Sequence, residues 1–372
     1  MNPRDRSMLW AALLFSSGFG AALALHGRAA VRADPAAPEP ARAGGRFVAN
    51  DVHVHLTNYI QEGTQVSSFC RIMGDRVGRA ALFGIPLQQL WSFRNSGERA
   101  PTYYLQTDDP LYYYAFTDAF IAMAYRSLSP ADRARFDPMI TGFNPADMYA
   151  ADHIRRVLRA FPGVFSGIGE FTIHKEFVSS KVAGPVASLD DPALDRVFQL
   201  AAEVGLLVLI HSDLDVPFPK PGAEPAYLEQ TKDLLRRHPK TTVIWAHTGV
   251  GRVVRPIAHH LANLEGILRD PAFAHVHFDL SWDEVAKYVV ASPETTRATA
   301  ELISRHPDRF LFGSDEVAPT DQESYLKVFR TYAPLWEALS ASTSEQVRKG
   351  NYERLFDAAR KRVRAWEKSQ GY

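Results

Sequence analysis

The run Phe47-Val-Ala-Asn-Asp-Val-His-Val-His55 carries two histidines two residues apart. On a β-strand successive side chains alternate between faces, so His53 and His55 share one face and can ligate a single metal ion. Neutral imidazole is a common zinc ligand. Taken alone, the spacing is a weak signal, more often a chance pair or two polar residues on a solvated strand face. Its weight comes from what lies downstream. Glu170 in Gly169-Glu170, His211 in Ile210-His-Ser-Asp213, His247 in Trp245-Ala-His-Thr-Gly249 and Asp315 in Phe312-Gly-Ser-Asp315 each stand at the end of a short apolar run. If those runs are parallel strands of a closed barrel, their C-terminal ends converge on one face, and His53, His55, Glu170, His211, His247 and Asp315 meet in one pocket.

The elements that must position them follow a regular plan. Val164–Gly169, Leu206–Ile210, Thr242–Ala246, Val276–Leu280 and Phe310–Phe312 are apolar or β-branched runs, the pattern of strands covered on both faces. Between them lie helical patterns over 191–204, 226–238, 253–268 and 294–306. Asp191-Pro192 supplies a capped start to the first, and Gly205 and Pro239 supply stops. Further strands are expected over Arg79–Ile85 and Met139–Gly142. Eight strands near residues 50, 82, 140, 167, 208, 244, 278 and 311 predict an α/β fold, a (β/α)8 TIM barrel. The stretch between strands two and three is too long for a simple crossover and is dense in aromatics, with Trp91, Phe93, Tyr103, Tyr104 and Tyr112 to Tyr114. It reads as an insertion with one helix over 110–126, serving either as a lid or as surface packing.

Bulk properties narrow the class. The 372-residue chain is 46% hydrophobic and 23% charged, with 42 basic and 42 acidic residues and a net charge of zero. That composition is ordinary for a globular protein and argues for neither a nucleic-acid partner nor attachment to an anionic membrane. The single cysteine, Cys70, leaves no intrachain disulfide and no multi-cysteine zinc site. Arg4 and Arg6 precede an apolar stretch, Met8 to Leu25, and either Ala22-Leu-Ala24 or Val31-Arg-Ala33 could serve as a small-residue cleavage site. Residues 1–33 therefore read as a signal peptide or N-terminal anchor, residues 34–46 as a disordered linker, and 47–372 as the folded domain. The domain is expected outside the cytoplasm, periplasmic or secreted, with membrane attachment only if the leader is not cleaved. A homo-oligomer is compatible with the sequence.

The order His-X-His, Glu, His, His, Asp resembles the amidohydrolase superfamily of metal-dependent barrel enzymes. More narrowly, it is similar to the amidohydrolase-related family that includes aromatic-acid decarboxylases and lactone hydrolases. The resemblance spans about residues 47–360 and includes Asn351-Tyr-Glu-Arg-Leu-Phe356, similar to the Asn-x-x-x-Leu-Phe near the end of such chains. It implies that His53, His55, His211 and Asp315 are metal ligands. It leaves two roles open for the remaining pair. In single-metal members the histidine matching His247 donates a proton or acts as electrophile; in two-metal members a glutamate matching Glu170 bridges two ions and the histidine binds the second. The resemblance fits a metal-dependent hydrolase acting on an amide, lactone or other ester of a small molecule. In that reading Asp315 is the general base for a metal-bound water, and the ion or His247 polarises the carbonyl. A non-oxidative decarboxylase is the alternative, and a non-catalytic binding protein a third. Zinc suits the donor set, with one or two ions, and another first-row ion such as Mn²⁺ fits it too.

Other residues could touch substrate. Arg252 and Arg255 follow Gly249 and Gly251 near an expected helix start and could clamp a substrate carboxylate or phosphate, or simply solvate the helix surface. His174, Lys175 and Glu176 share the expected loop after Glu170, with Lys175 a partner for it. Trp282, Asp283 and Glu284 follow strand seven and could line the pocket. His259, His260, His275 and His306 fall on helices or at strand starts, as structural or surface residues.

Overall fold

A computed structural model describes residues 47–58, 62–86, 116–176 and 188–372, with the two-residue strands Leu90–Trp91, Leu105–Gln106 and Val178–Ser179. The expected leader and linker, and most of the aromatic insertion, lie outside the described residues. Among those described, no helix is long and apolar enough to cross a membrane.

The fold is a TIM barrel. Its strands are β1 (Ala49–His55), β2 (Val77–Phe83), β3 (Phe136–Ile140), β4 (Gly167–Lys175), β5 (Leu207–Ser212), β6 (Val243–Trp245), β7 (Val276–Asp279) and β8 (Phe310–Leu311). Neighbours in sequence pair in parallel from β1 through β8. Beyond β8 the chain continues to Glu316–Val317, which pairs in parallel with β1. The backbone N–H of Val52 also donates to the carbonyl of Phe312, and that of Asp315 to the carbonyl of His53. Segment 310–317 thus runs between β7 and β1 and joins the two ends of the sheet.

Side-chain alternation sorts residues into layers. Along β5, Val208 and Ile210 join the large apolar layer between sheet and helices, while Leu207 and Leu209 face the interior. The same division holds for Trp245 against Ile244 on β6 and for Phe310 against Leu311 on β8. The interior row begins apolar and turns polar toward the strand C-termini: Leu207, Leu209, then His211. Tyr352, Leu355, Phe356 and Ala359 of the helix Asn351–Ser369 plug the apolar end. Asn351 fastens that helix by donating to the carbonyls of Phe310 and Pro307 at 2.7 and 2.8 Å, which explains the Asn-x-x-x-Leu-Phe pattern physically. Beside it, buried Asp137 of β3 accepts from Arg79, Arg360 and the Tyr352 hydroxyl.

Register shifts break the alternation on both strands. On β1 the pairing slips between Ala49 and Asp51 and again between Asp51 and Val54, and on β4 between Ile168 and Phe171 and again between Thr172 and His174. A bulge of this kind re-aims a side chain. Here the shifts flank His53 and Glu170.

Three expectations need correction. Glu170 and His211 lie inside β4 and β5, not past their ends, because both strands run longer than their apolar cores. For the same reason His174 and Lys175 belong to β4, and only Glu176 begins the loop. The helix expected over 253–268 begins at His260. Residues before a proline are pushed out of the helical region, and Pro256 follows Arg255. Arg252 and Arg255 therefore sit on a loop and not at a helix start.

Candidate metal centre

β1 brings His53 and His55 side by side, with their Nε2 atoms 3.3 Å apart. Each lies close to Oδ1 of Asp315, at 3.2 Å and 3.1 Å respectively. The three atoms form a nearly equilateral triangle. Donors about 2.0–2.1 Å from a tetrahedral zinc ion are separated by roughly 3.3–3.4 Å, so the triangle has the dimensions of one face of a zinc tetrahedron. A second group, Nε2 of His53 and of His247 with a carboxylate oxygen of Glu170, has its donor atoms within 4.8 Å of one another.

Outer hydrogen bonds orient these rings. Nδ1 of His55 donates to the carbonyl of Gly84 at 3.0 Å, and Nδ1 of His53 bonds Asp279 Oδ2 at 3.0 Å. Nδ1 of His247 lies 2.8 Å from Oγ of Ser281. All three rings thereby turn Nε2 inward. Nε2 of His247 and Oε2 of Glu170 are buried with no hydrogen-bond partner; Nε2 of His55 lies 3.4 Å from that oxygen. Buried polar atoms are rarely left unsatisfied, and a cation would satisfy both.

His211 takes a different place. Its Nδ1 is 2.7 Å from Glu170 Oε1 and its Nε2 is 3.2 Å from Asp213 Oδ1. Both ring nitrogens face carboxylates, and the ring belongs to neither of the two close donor groups.

Burial alone would lower the His53 imidazole, but Asp315 and Asp279 outweigh it and hold it well above its ordinary value. Burial would likewise raise Asp315, but His53 and His55 hold it well below. Against the same burial, Lys175 and His211 hold Glu170 well below the usual carboxylate range. Burial lowers His247, so its ring is neutral near pH 7. The site therefore offers ionised carboxylates and one neutral imidazole.

The backbone is strained where these groups sit. His247, Thr248, Trp282 and Asp315 are non-glycine residues with φ of 56°, 54°, 77° and 55°. Such conformations persist only where surrounding structure over-determines them, and they cluster at functional sites. Gly313 is required by close packing: a Cβ there would lie 2.9 Å from the Cβ atoms of both His53 and Ser281.

An amidohydrolase family model, Amidohydro_2, matches residues 51–358. The chain belongs to this amidohydrolase family. Searched against curated proteins, it finds no match. Solved structures similar to this amidohydrolase include one from Acinetobacter baumannii, described as a probable 2-pyrone-4,6-dicarboxylic acid hydrolase with citric acid bound. It is 11% identical, with 84% of this chain and 100% of that chain covered and a TM-score of 0.48. A zinc-bound amidohydrolase from Burkholderia multivorans is 14% identical, covering 83% and 99%, with a TM-score of 0.48. A TIM-barrel protein from Bordetella bronchiseptica is also 14% identical, covering 83% and 99%, with a TM-score of 0.49.

Trp282 packs on His247 with ring centroids 5.1 Å apart. Lys175 Nζ and Arg252 Cζ lie 5.3 and 5.9 Å from the indole centre, and Arg252 Nε is 3.9 Å from Glu284. His174 instead stacks on Tyr227 at 3.8 Å and is pushed down to about 4 by burial, a packing role.

Sequence reasoning missed Asp279 and Ser281. Both hold the site from behind, and Asp279 accepts the backbone N–H of His247 at 2.7 Å. The signal was present: His277, Asp279 and Ser281 form a polar row alternating with apolar Val276, Phe278 and Leu280 along β7 and the two residues after it. Asp51 was also passed over. It accepts from the backbone N–H groups of His53 and Ser314, tying β1 to the segment bearing Asp315, and burial raises it to about 6.

Proposed function

We propose that this amidohydrolase is a metal-dependent hydrolase that activates water for attack on the carbonyl of a small molecule, an amide, lactone or other ester. The observation that carries the reading is the donor triangle of His53, His55 and Asp315. Zinc fits it, with His247, Glu170 and His211 available to complete one ion or to hold a second. A bound divalent ion supplies a water whose pKa falls from 15.7 to near 7.

The chain's own groups do the rest. Asp315 is ionised, and with Oδ1 directed at the two histidines its Oδ2 is free to take the water's proton and pass it to the leaving group. Oδ2 also lies 3.9 Å from Nε2 of His247, so the two groups bracket the space in which a carbonyl would react. Trp282 forms an apolar wall, and Lys175 and Arg252 bring positive charge beside it, suited to a substrate carboxylate. That pair of cations also favours a second reading, a non-oxidative decarboxylase, in which the carboxylate is the reacting group. Export by the leader 1–33 remains part of the proposal.

Turnover of a panel of lactones, amides and aromatic acids by zinc-loaded protein in H₂¹⁸O tests both readings. Hydrolysis places one ¹⁸O in the product. Release of CO₂ without ¹⁸O incorporation selects the decarboxylase. No turnover with any metal opposes both.

A further inference from the structure

We infer that Asp279 and Ser281 act together as a positioning device that fixes a hydrogen on Nδ1 of both His53 and His247 and so presents both Nε2 atoms to the pocket. Asp279 is fully buried at the end of β7, and as a carboxylate it can only accept. Its Oδ2 takes Nδ1–H of His53 at 3.0 Å. Its Oδ1 lies 2.6 Å from Ser281 Oγ, the shortest contact that hydroxyl makes among its side-chain partners. Ser281 has a single hydroxyl hydrogen, and it goes to Asp279. Of the two imidazole nitrogens beside that oxygen, Nδ1 of His53 at 3.2 Å already has its shorter bond to Asp279, and Nδ1 of His247 at 2.8 Å must then donate to the hydroxyl oxygen. His247 is thereby held as its Nδ1–H tautomer, with a bare Nε2.

The same carboxylate oxygen accepts the backbone N–H groups of His247 at 2.7 Å and of Ser281 at 3.2 Å. It therefore pins the left-handed backbone of His247 as well as the ring. One carboxylate on β7 sets the direction of a ring on β1 and of a ring in the turn after β6. A bare Nε2 is a Lewis base, so His247 serves as a ligand or proton acceptor in the resting protein. This bears on the two roles that the sequence left open for it. The inference rests on the metal-dependent reading only for its effect on metal affinity; the hydrogen placement stands without it.

Two variants and two readouts test it: zinc affinity by chelator competition, and the His247 tautomer by ¹⁵N NMR of histidine-labelled, metal-free protein at pH 8. Removal of an outer-shell partner of this kind typically costs about 10–100-fold in metal affinity. Asp279→Asn should lose that much while keeping its far-UV circular dichroism. Ser281→Ala should abolish the fixed Nδ1–H tautomer of His247 and lower zinc affinity by less, because His53 keeps its bond to Asp279. Ser281→Thr, which restores the hydroxyl, should recover the tautomer. If Asp279→Asn does not fold, the serine variants and the wild-type spectrum carry the test. An Nε2–H tautomer of His247 in the wild type, or an unchanged tautomer in Ser281→Ala, overturns the inference. So does zinc affinity in folded Asp279→Asn within about twofold of wild type. A wild-type protein that binds no zinc but shows the Nδ1–H tautomer counts against the functional reading and supports the inference.

Discussion

His53 and His55 face each other through Nε2 atoms 3.3 Å apart, while the Nδ1 of each is tied outward, to Asp279 and to the Gly84 carbonyl. Two nitrogen lone pairs at that distance repel unless a proton or cation lies between them. Metal binding is therefore coupled to folding at this site. Protein in zinc at 100 times its dissociation constant should gain about 2.7 kcal/mol over chelator-treated protein. Urea unfolding with and without zinc measures this. His55→Ala should show no zinc-dependent difference; an equal gain in the variant would move the ion elsewhere.

Asp315 has a left-handed backbone, φ 55°, which asparagine also tolerates. Asp315→Asn should keep the fold yet lose the base, lowering kcat by about 10²–10⁴-fold. Steady-state kinetics on whichever panel compound turns over, alongside far-UV circular dichroism, checks this. Unchanged turnover would remove Asp315 from the proton path.

Asp137 lies at the opposite end of the barrel, fully buried against Arg79, Arg360 and Tyr352. Asp137→Ala strands buried positive charge and should cost about 3–5 kcal/mol in urea unfolding. Zinc stoichiometry of the folded fraction should not change, because the apolar floor of Leu207, Leu209 and Leu311 separates the two ends.

Burial pushes His260 from its ordinary 6.5 down to about 4. Its folded-state pKa is the lower one, so its stability contribution is complete above pH 6.5 and is lost as pH falls toward 4. Linkage gives a loss of about 2 kcal/mol between pH 7 and pH 5 from this residue. His260→Gln can keep the contact with Thr248 and should lose about 2 kcal/mol less than wild type over that range. Equal losses in both proteins would show that His260 titrates normally when folded.

The sequence made much of the site legible because period-2 spacing and apolar runs report strand faces directly. The structure brings His53, His55 and Asp315 into one close donor group and His53, Glu170 and His247 into another. The register shifts that aim His53 and Glu170 left no mark in the alternation pattern, so Glu170 was expected on a loop when it lies within β4. Asp279 was hidden for a different reason. A single acidic residue in Val276-His-Phe-Asp-Leu280 reads as part of a strand until its neighbours across the barrel are known. The Arg252 loop was misjudged because Val253 to Leu268 keeps helical periodicity through Pro256, which interrupts the helix.

Metal analysis of protein purified from zinc-replete culture tests the central claim most directly. The account predicts about one or two ions per chain in the wild type, as expected for a three-to-four-ligand centre, and their loss in the His53→Ala, His55→Ala double variant. A wild type without metal, or a double variant that retains the full complement, would contradict it.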